Sequence, residues 1–340
     1  MRSIRYIIPV ILLTILTGCT KTGPDNPVRD DVTVHWAISP GGLGDMGYND
    51  IIFGGISAAA SRYDFGLYYY RPESAEEMVP VVEQWASEPQ AEGTRSLFVL
   101  GASDYEVTVR ALMDKGVFPL PEGKDIMMLE YFADDLPVHT IGIVAMSAAY
   151  LAGCVADSLD RTPAVIAATL SDPQSLAAAE AFCLGADPEH PDSVTVIELS
   201  DGYSGFYMAD SLYRMCPDLT ARYDFFFPYA GGTALGMYRY MRDYSGPWMV
   251  VGMDMDQSDL APDNMCCSMI KRIDRAVVLW MDSYIRGEEI PLRTIHGMES
   301  GLISLSPSEG YETLIEDVTA RHRNRALEIE QIYTEILSSR

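Results

Sequence analysis

The sequence predicts an α/β protein of two lobes, each built on a parallel sheet, and three observations predict it. Short apolar runs alternate with amphipathic helical stretches from Val32 to Arg242, which is the cadence of βαβ units. The cadence restarts after the run Val138 to Ile141 and gives two halves of about equal weight. At 340 residues the chain is long for a single core, so two domains are expected.

Residues 1–19 read as a targeting segment. Arg2 and Arg5 precede an apolar run, Tyr6 to Leu16, which ends in Leu16-Thr17-Gly18-Cys19. The run is short for a membrane span and ends in small residues. The ending resembles the bacterial lipobox, which implies lipidation of Cys19 and a tether to an envelope membrane. Residues 20–30, with Lys, Gly, Pro and Asn, read as a flexible linker. Val32 to Ile38 alternates as a first strand and runs into a glycine-rich loop, Gly41 to Gly47, and a helix from about Asn49 to Tyr63. Glycine there lets backbone approach a ligand, and a helix N-terminus offers unpaired N–H groups. The spacing is not a dinucleotide fingerprint, and no cofactor is expected.

Strands follow at 66–70, 96–100 and 125–129, with helices at 74–87 and 107–115 between them; Ser74 and Glu77 have capping-box spacing. In the second half, strands are expected at 164–169, 193–199, 224–228 and 248–251, and helices at 145–159, 175–184 and 203–216. A second glycine turn, Ala230 to Gly236, opens another helix. The pattern from Gly310 to Arg340 is helical, with Ile315, Val318, Ile329 and Tyr333 on its apolar face.

The net charge of −25 excludes a phosphate-binding, nucleic-acid surface, although it leaves neutral nucleosides open. Six cysteines are present, and with Cys19 committed to lipid five remain. They show no CxxC spacing and the five His are scattered, so no metal site is expected. Adjacent Cys266 and Cys267 read as small buried residues.

The stretch Trp248 to Asp274 carries the strongest site signal. An apolar strand runs into Asp254, Asp256 and Gln257, and a second one, Met265 to Ile270, leads to Lys271. Ligands of open α/β sheets bind at the carboxyl ends of strands. Acids and a cation meeting there would grip a polyhydroxyl group such as a ribose. Asp104, just past another strand, is a further candidate, with helix capping as its competing role.

Five segments together resemble the basic membrane protein family: Gly44 to Asp50 (GDMGYND), Pro228 to Gly236 (PYAGGTALG), Val250 to Gln257 (VVGMDMDQ), Ser268 to Asp274 (SMIKRID) and His296 to Ser306 (HGMESGLISLS). These are substrate-binding lipoproteins of ABC transporters, the purine-nucleoside receptors among them. The resemblance implies a type I periplasmic-binding-protein fold, two α/β lobes with parallel sheets joined by crossover strands around a ligand cleft. It places 31–135 plus 265–293 in the first lobe and 136–264 plus 294–340 in the second. Carried over, Asp254 and Lys271 would hold the ribose, Asp45 and Asn49 would contact the ligand from the first lobe, and Phe53 and Phe206 would stack on the base. Gly231 belongs to the ligand turn, and Asp104 aligns by position. Ala234 departs from the glycine that most of the family has there. The implied protein is a lipid-anchored, extracytoplasmic, monomeric nucleoside receptor, at the periplasmic face or cell surface, that partners an importer permease and is not an enzyme. The alternatives are an envelope sensor or adhesin with the same fold and a nucleoside hydrolase. The hydrolase is disfavoured because no Gly-x-Ser-x-Gly elbow is present and no His is placed beside a candidate Ser or Cys.

Overall fold

A computed structural model describes residues 31–339. The signal segment 1–19, the lipobox Cys19 and the linker 20–30 lie outside the described residues. The chain begins β1 (Val32–Ala37), α1 (Tyr48–Tyr63), β2 (Gly66–Tyr70), α2 (Met78–Ser87), β3 (Arg95–Leu100), α3 (Glu106–Asp114), β4 (Lys124–Leu129) and β5 (His139–Ile143). It continues with α4 (Met146–Ser158), β6 (Pro163–Ala167), α5 (Pro173–Ala186), β7 (Thr195–Glu198), α6 (Ala209–Thr220), β8 (Phe225–Phe227), α7 (Ala234–Asp243) and β9 (Met249–Asp254). It closes with β10 (Met265–Lys271), α8 (Ile273–Arg286), β11 (Arg293–His296), β12 (Ile303–Pro307) and α9 (Glu312–Ser338).

Two six-stranded sheets result, in the orders β11-β5-β4-β3-β1-β2 and β12-β10-β9-β8-β6-β7. Every described pairing is parallel except β10 with β12. Strands such as Phe225–Phe227 are wholly buried because helices cover both faces of each sheet. The chain passes between the sheets after β5, after β10 and after β11. Val144 N–H donates to His296 O and Arg272 N–H to Leu302 O, each at 2.8 Å, tying these passages to one another.

The lobe boundaries differ from expectation. Residues 265–271 pair with β9 and β12 in the second sheet, not the first. Residues 139–143 and 294–296 join the first sheet, not the second. Pairing partners choose a strand's sheet, and an apolar run carries no record of them. Helix α8 does pack on α1 of the first lobe, while α9 lies along α4 of the second. Helices α4 and α5 meet backbone to backbone: a Cβ at Gly153 would lie 2.1 Å from Phe182 O. The capping box at Ser74 does not form; a 3-10 turn, Ala75–Glu77, precedes α2, and Glu77 instead accepts from Glu73 N–H at 3.0 Å. The five described cysteines are free and buried, Cys266 and Cys267 completely.

Candidate ligand-binding site

The carboxyl ends of β1, β3, β4, β6, β8, β9 and β10 converge on one cavity of about 330 Å³ between the lobes. That volume lies at the lower end of the range usual for small-ligand sites, roughly 300–1,000 Å³. Of the residues expected from sequence, Asp45, Asn49, Asp104, Phe206, Gly231, Asp254 and Lys271 line it.

Lys271 ends β10 with 4% exposure, and its Nζ pairs with a carboxylate the sequence reading missed, Glu130 at the end of β4. The pair joins the two sheets. Burial alone would lower the ammonium's pKa; Glu130, Tyr229 and Asp254 outweigh it and hold the group above its ordinary value. Its Nζ also lies 5.9 Å from the centre of the Tyr48 ring, the outer reach of a cation–π contact.

Asp254 ends β9 with φ 68°, and Glu130 has φ 62°. Left-handed backbone costs a non-glycine residue roughly 1–3 kcal/mol and tends to cluster at functional sites. Among the described residues nothing donates a hydrogen bond to the Asp254 carboxylate. Burial, opposed by Lys271 but reinforced by Asp45 and Glu130, pushes its pKa up to about 7. Asp256, two residues on, is exposed and accepts from Ser258 N–H at 3.0 Å, so it caps a turn.

Asp45 serves first as a helix cap. Its carboxylate accepts the N–H groups of Asn49 at 2.8 Å and Gly47 at 3.1 Å, satisfying the start of α1. It also accepts from Asn49 Nδ2 at 3.1 Å, which leaves Asn49 Oδ1 buried and without a partner at the cavity. Phe53 does not reach the cavity. It lies one turn further from the N-terminus of α1 that points at the site, is 42% exposed, and stacks on Trp36 at 6.1 Å.

Phe206 sits on the 3-10 turn Tyr203–Tyr207. Thr233 Oγ1 fastens that turn to the glycine turn by donating to Gly205 O at 2.7 Å and accepting from Met208 N–H at 2.6 Å. Gly231 has φ 49°, and a Cβ there would lie 3.1 Å from the Phe206 ring, so glycine keeps room for the aromatic. Four tyrosines also line the cavity: Tyr48, Tyr203, Tyr207 and Tyr229.

Asp172 and Gln174 complete the wall. Asp172 caps α5 by accepting Ser175 N–H at 2.9 Å. Gln174 Nε2 reaches across to Glu130 O at 3.0 Å, and its Oε1 is buried without a partner. Two further bonds hold the lobes together at the mouth: Gln257 Nε2 to Met46 O at 2.7 Å, and Ser39 Oγ with Tyr207 OH at 3.1 Å. Glu130 and Asp172 obey the same strand-end rule that singled out Asp104, so applying it at every strand would have found both.

The arrangement is a binding site rich in acceptors. A ligand hydroxyl must donate to Asp254, and only the ionised carboxylate accepts freely. In the free protein that carboxyl is protonated below about pH 7, so binding there must release a proton. Affinity for a polyhydroxyl ligand should therefore fall as pH drops below 7, approaching tenfold per unit; titration calorimetry at pH 5, 6, 7 and 8 checks this. Among the described residues no group of three or more His, Cys, Asp or Glu is placed to hold a metal ion.

Two α/β lobes joined by three passages, with a small-ligand cavity between them bridged by buried polar groups, define the architecture of a small-molecule binding protein. Residues 33–333 match the Bmp family, described as ABC transporter substrate-binding protein PnrA-like, and the chain belongs to that family. It is a family of substrate-binding proteins, not of enzymes. The chain is similar to an uncharacterized lipoprotein of Pyrococcus furiosus, 24% identical over 91% of this chain and 77% of that one. It is also similar to Basic membrane protein C of Borreliella burgdorferi, 23% identical over 88% and 87%. Among solved structures, an ABC transporter solute-binding protein from Aeropyrum pernix superposes with TM-score 0.66 at 16% identity, covering 91% of each chain. A carbohydrate transporter solute-binding protein from Agrobacterium radiobacter, in complex with D-arabinose, gives TM-score 0.60 at 11% identity over 85% and 99%. These likenesses bear out the type I periplasmic-binding fold. No helix among the described residues is long and apolar enough to cross a membrane.

Proposed function

We propose that this chain is a lipid-anchored, extracytoplasmic receptor that captures a purine nucleoside in the interlobe cleft and delivers it to an ABC importer permease. The observation that carries the reading is the pairing, in one buried cavity, of Asp254 and Lys271 at adjacent strand ends with Phe206 on the lining. A ribose diol donates two hydrogen bonds; Asp254 is an acceptor and Lys271 a donor, which suits a ring bearing both kinds of oxygen. A purine needs a flat apolar partner, and Phe206 with the tyrosines supplies one. Anchoring is supported by Leu16-Thr17-Gly18-Cys19 and by the lipoprotein names of relatives.

The test is calorimetric titration with guanosine, inosine, adenosine and free ribose. A nucleoside should bind far more tightly than ribose. Phe206→Ala should weaken the nucleoside about 5- to 150-fold, the worth of one base–aromatic stack of about 1–3 kcal/mol, and leave any ribose binding unchanged. An acceptor-rich cavity also suits a free sugar, as in the Agrobacterium radiobacter neighbour with D-arabinose; ribose binding as tightly as any nucleoside would establish that reading instead.

A further inference from the structure

The carboxylates of the main cavity differ in how their charge is met. Asp45 and Asp172 cap the starts of α1 and α5, where helix dipoles favour an anion. Glu130 is paired with Lys271, whose field also reaches Asp254. Asp104 also lies in the first turn of a 3-10 segment, Ser103–Tyr105, that leads into α3, and the backbone N–H groups of Tyr105 and of Asp104 itself act on it, but no cation does. It is 8% exposed, and its Oδ1 is buried with no hydrogen-bond partner. The charged groups acting on it, Asp172 and Glu76, are both acidic.

Asp104 also stands at a junction. A second cavity, of about 590 Å³, adjoins the first, and Ser103, Asp104, Tyr203 and Tyr207 line both. Its remaining charged lining is Glu73, Glu76, Glu106 and Arg110. Arg110 brings no free positive charge: its guanidinium donates to Glu106 at 2.6 Å and to Asp135 at 2.7 Å. A buried carboxylate with one oxygen unpartnered and no cation beside it is costly to keep ionised unless something else supplies the positive partner. The carboxylates here are not grouped as metal ligands. An organic ammonium meets the need, since it donates three hydrogen bonds and suits the aromatic lining that Tyr203 and Tyr207 give the junction.

We propose that the ligand carries an ammonium group that seats against Asp104 where the two cavities meet, making the substrate class amine-bearing rather than neutral. The proposal rests on the nucleoside reading for the rest of the ligand; the amine claim itself does not depend on that scaffold. Burial, then Asp172, pushes the Asp104 carboxyl up to about 7, so an arriving ammonium would hold it ionised at neutral pH.

Two matched pairs test the claim by calorimetry at pH 7.5: N6-(2-aminoethyl)adenosine against N6-(2-hydroxyethyl)adenosine, and glucosamine against glucose. In whichever scaffold binds, the amine member should bind about tenfold or more tighter, the worth of a charge-assisted hydrogen bond. Asp104→Asn should erase that ratio. Equal affinity within every pair that binds, a ratio that persists in Asp104→Asn, or binding by no member of either pair would overturn the proposal. Selective binding of glucosamine with no adenosine bound would leave the amine claim standing and remove the nucleoside reading. Equal binding of both adenosines would do the reverse.

Discussion

Lys271→Met is expected to destabilise the protein by about 3–5 kcal/mol, the usual cost of removing one partner from a buried ion pair. The substitution keeps most of the side-chain volume but leaves Glu130 and Asp254 facing each other with no cation between them. Urea denaturation at pH 8 should show the full loss. At pH 5 the deficit should shrink, because carboxylates without a counter-charge take up protons and become neutral. Combining Lys271→Met with Glu130→Gln should recover most of the stability, since the double change removes both charges. A single variant as stable as the parent at pH 8 would mean that the pair contributes nothing to holding the lobes together.

Asp254→Asn should move stability and binding in opposite directions. Asparagine tolerates the left-handed backbone at this position, so the substitution isolates the charge. In the free protein the Asp254 carboxyl has a folded-state pKa of about 7, above the unfolded value. Its contribution to stability is thus fully present below about pH 4 and is lost as pH rises through 7. Asparagine has no such slope, so the melting temperature of Asp254→Asn should exceed that of the parent by a margin that grows between pH 4 and 7. The same change replaces an anionic acceptor of two ligand hydroxyls by a neutral amide that keeps one acceptor oxygen and turns a donor toward the second hydroxyl. Charge-assisted bonds are worth roughly 1.5–3 kcal/mol each, so affinity should fall by about 100-fold or more. A variant that keeps full affinity would remove Asp254 from the ligand grip.

Much of the fold and part of the site were legible in the sequence, for physical reasons that can be named. The alternation of short apolar runs with helices is dictated by burial on both faces of a parallel sheet, so the strands as far as β10 could be placed to within a few residues, while the less buried β11 and β12 could not. Asp254 and Lys271 stood out because each terminates an apolar run, and these strand ends line the cavity. The lobe membership of residues 265–271 was not legible: two parallel sheets built from the same kind of strand offer no local mark of which edge a strand will join. Glu130 ends an apolar run just as Asp254 does, but its pairing with Lys271, 141 residues away, leaves no local mark. Phe53 shows the opposite failure. Its spacing from Asn49 put it on a plausible helix face, yet one turn of rise carried it out of the cleft and onto Trp36. Asp45 was legible as a site residue, but its main occupation is the N–H groups of α1.

The most direct test of the central claim is a crystal structure of the mature chain grown with the purine nucleoside that titrates most tightly. The ribose hydroxyls are expected within hydrogen-bond distance of Asp254 and Lys271, with the base against the Phe206 ring. A nucleoside lying with its base toward Lys271 and its sugar toward Phe206, or a cleft that holds a free sugar and refuses every nucleoside, would contradict it.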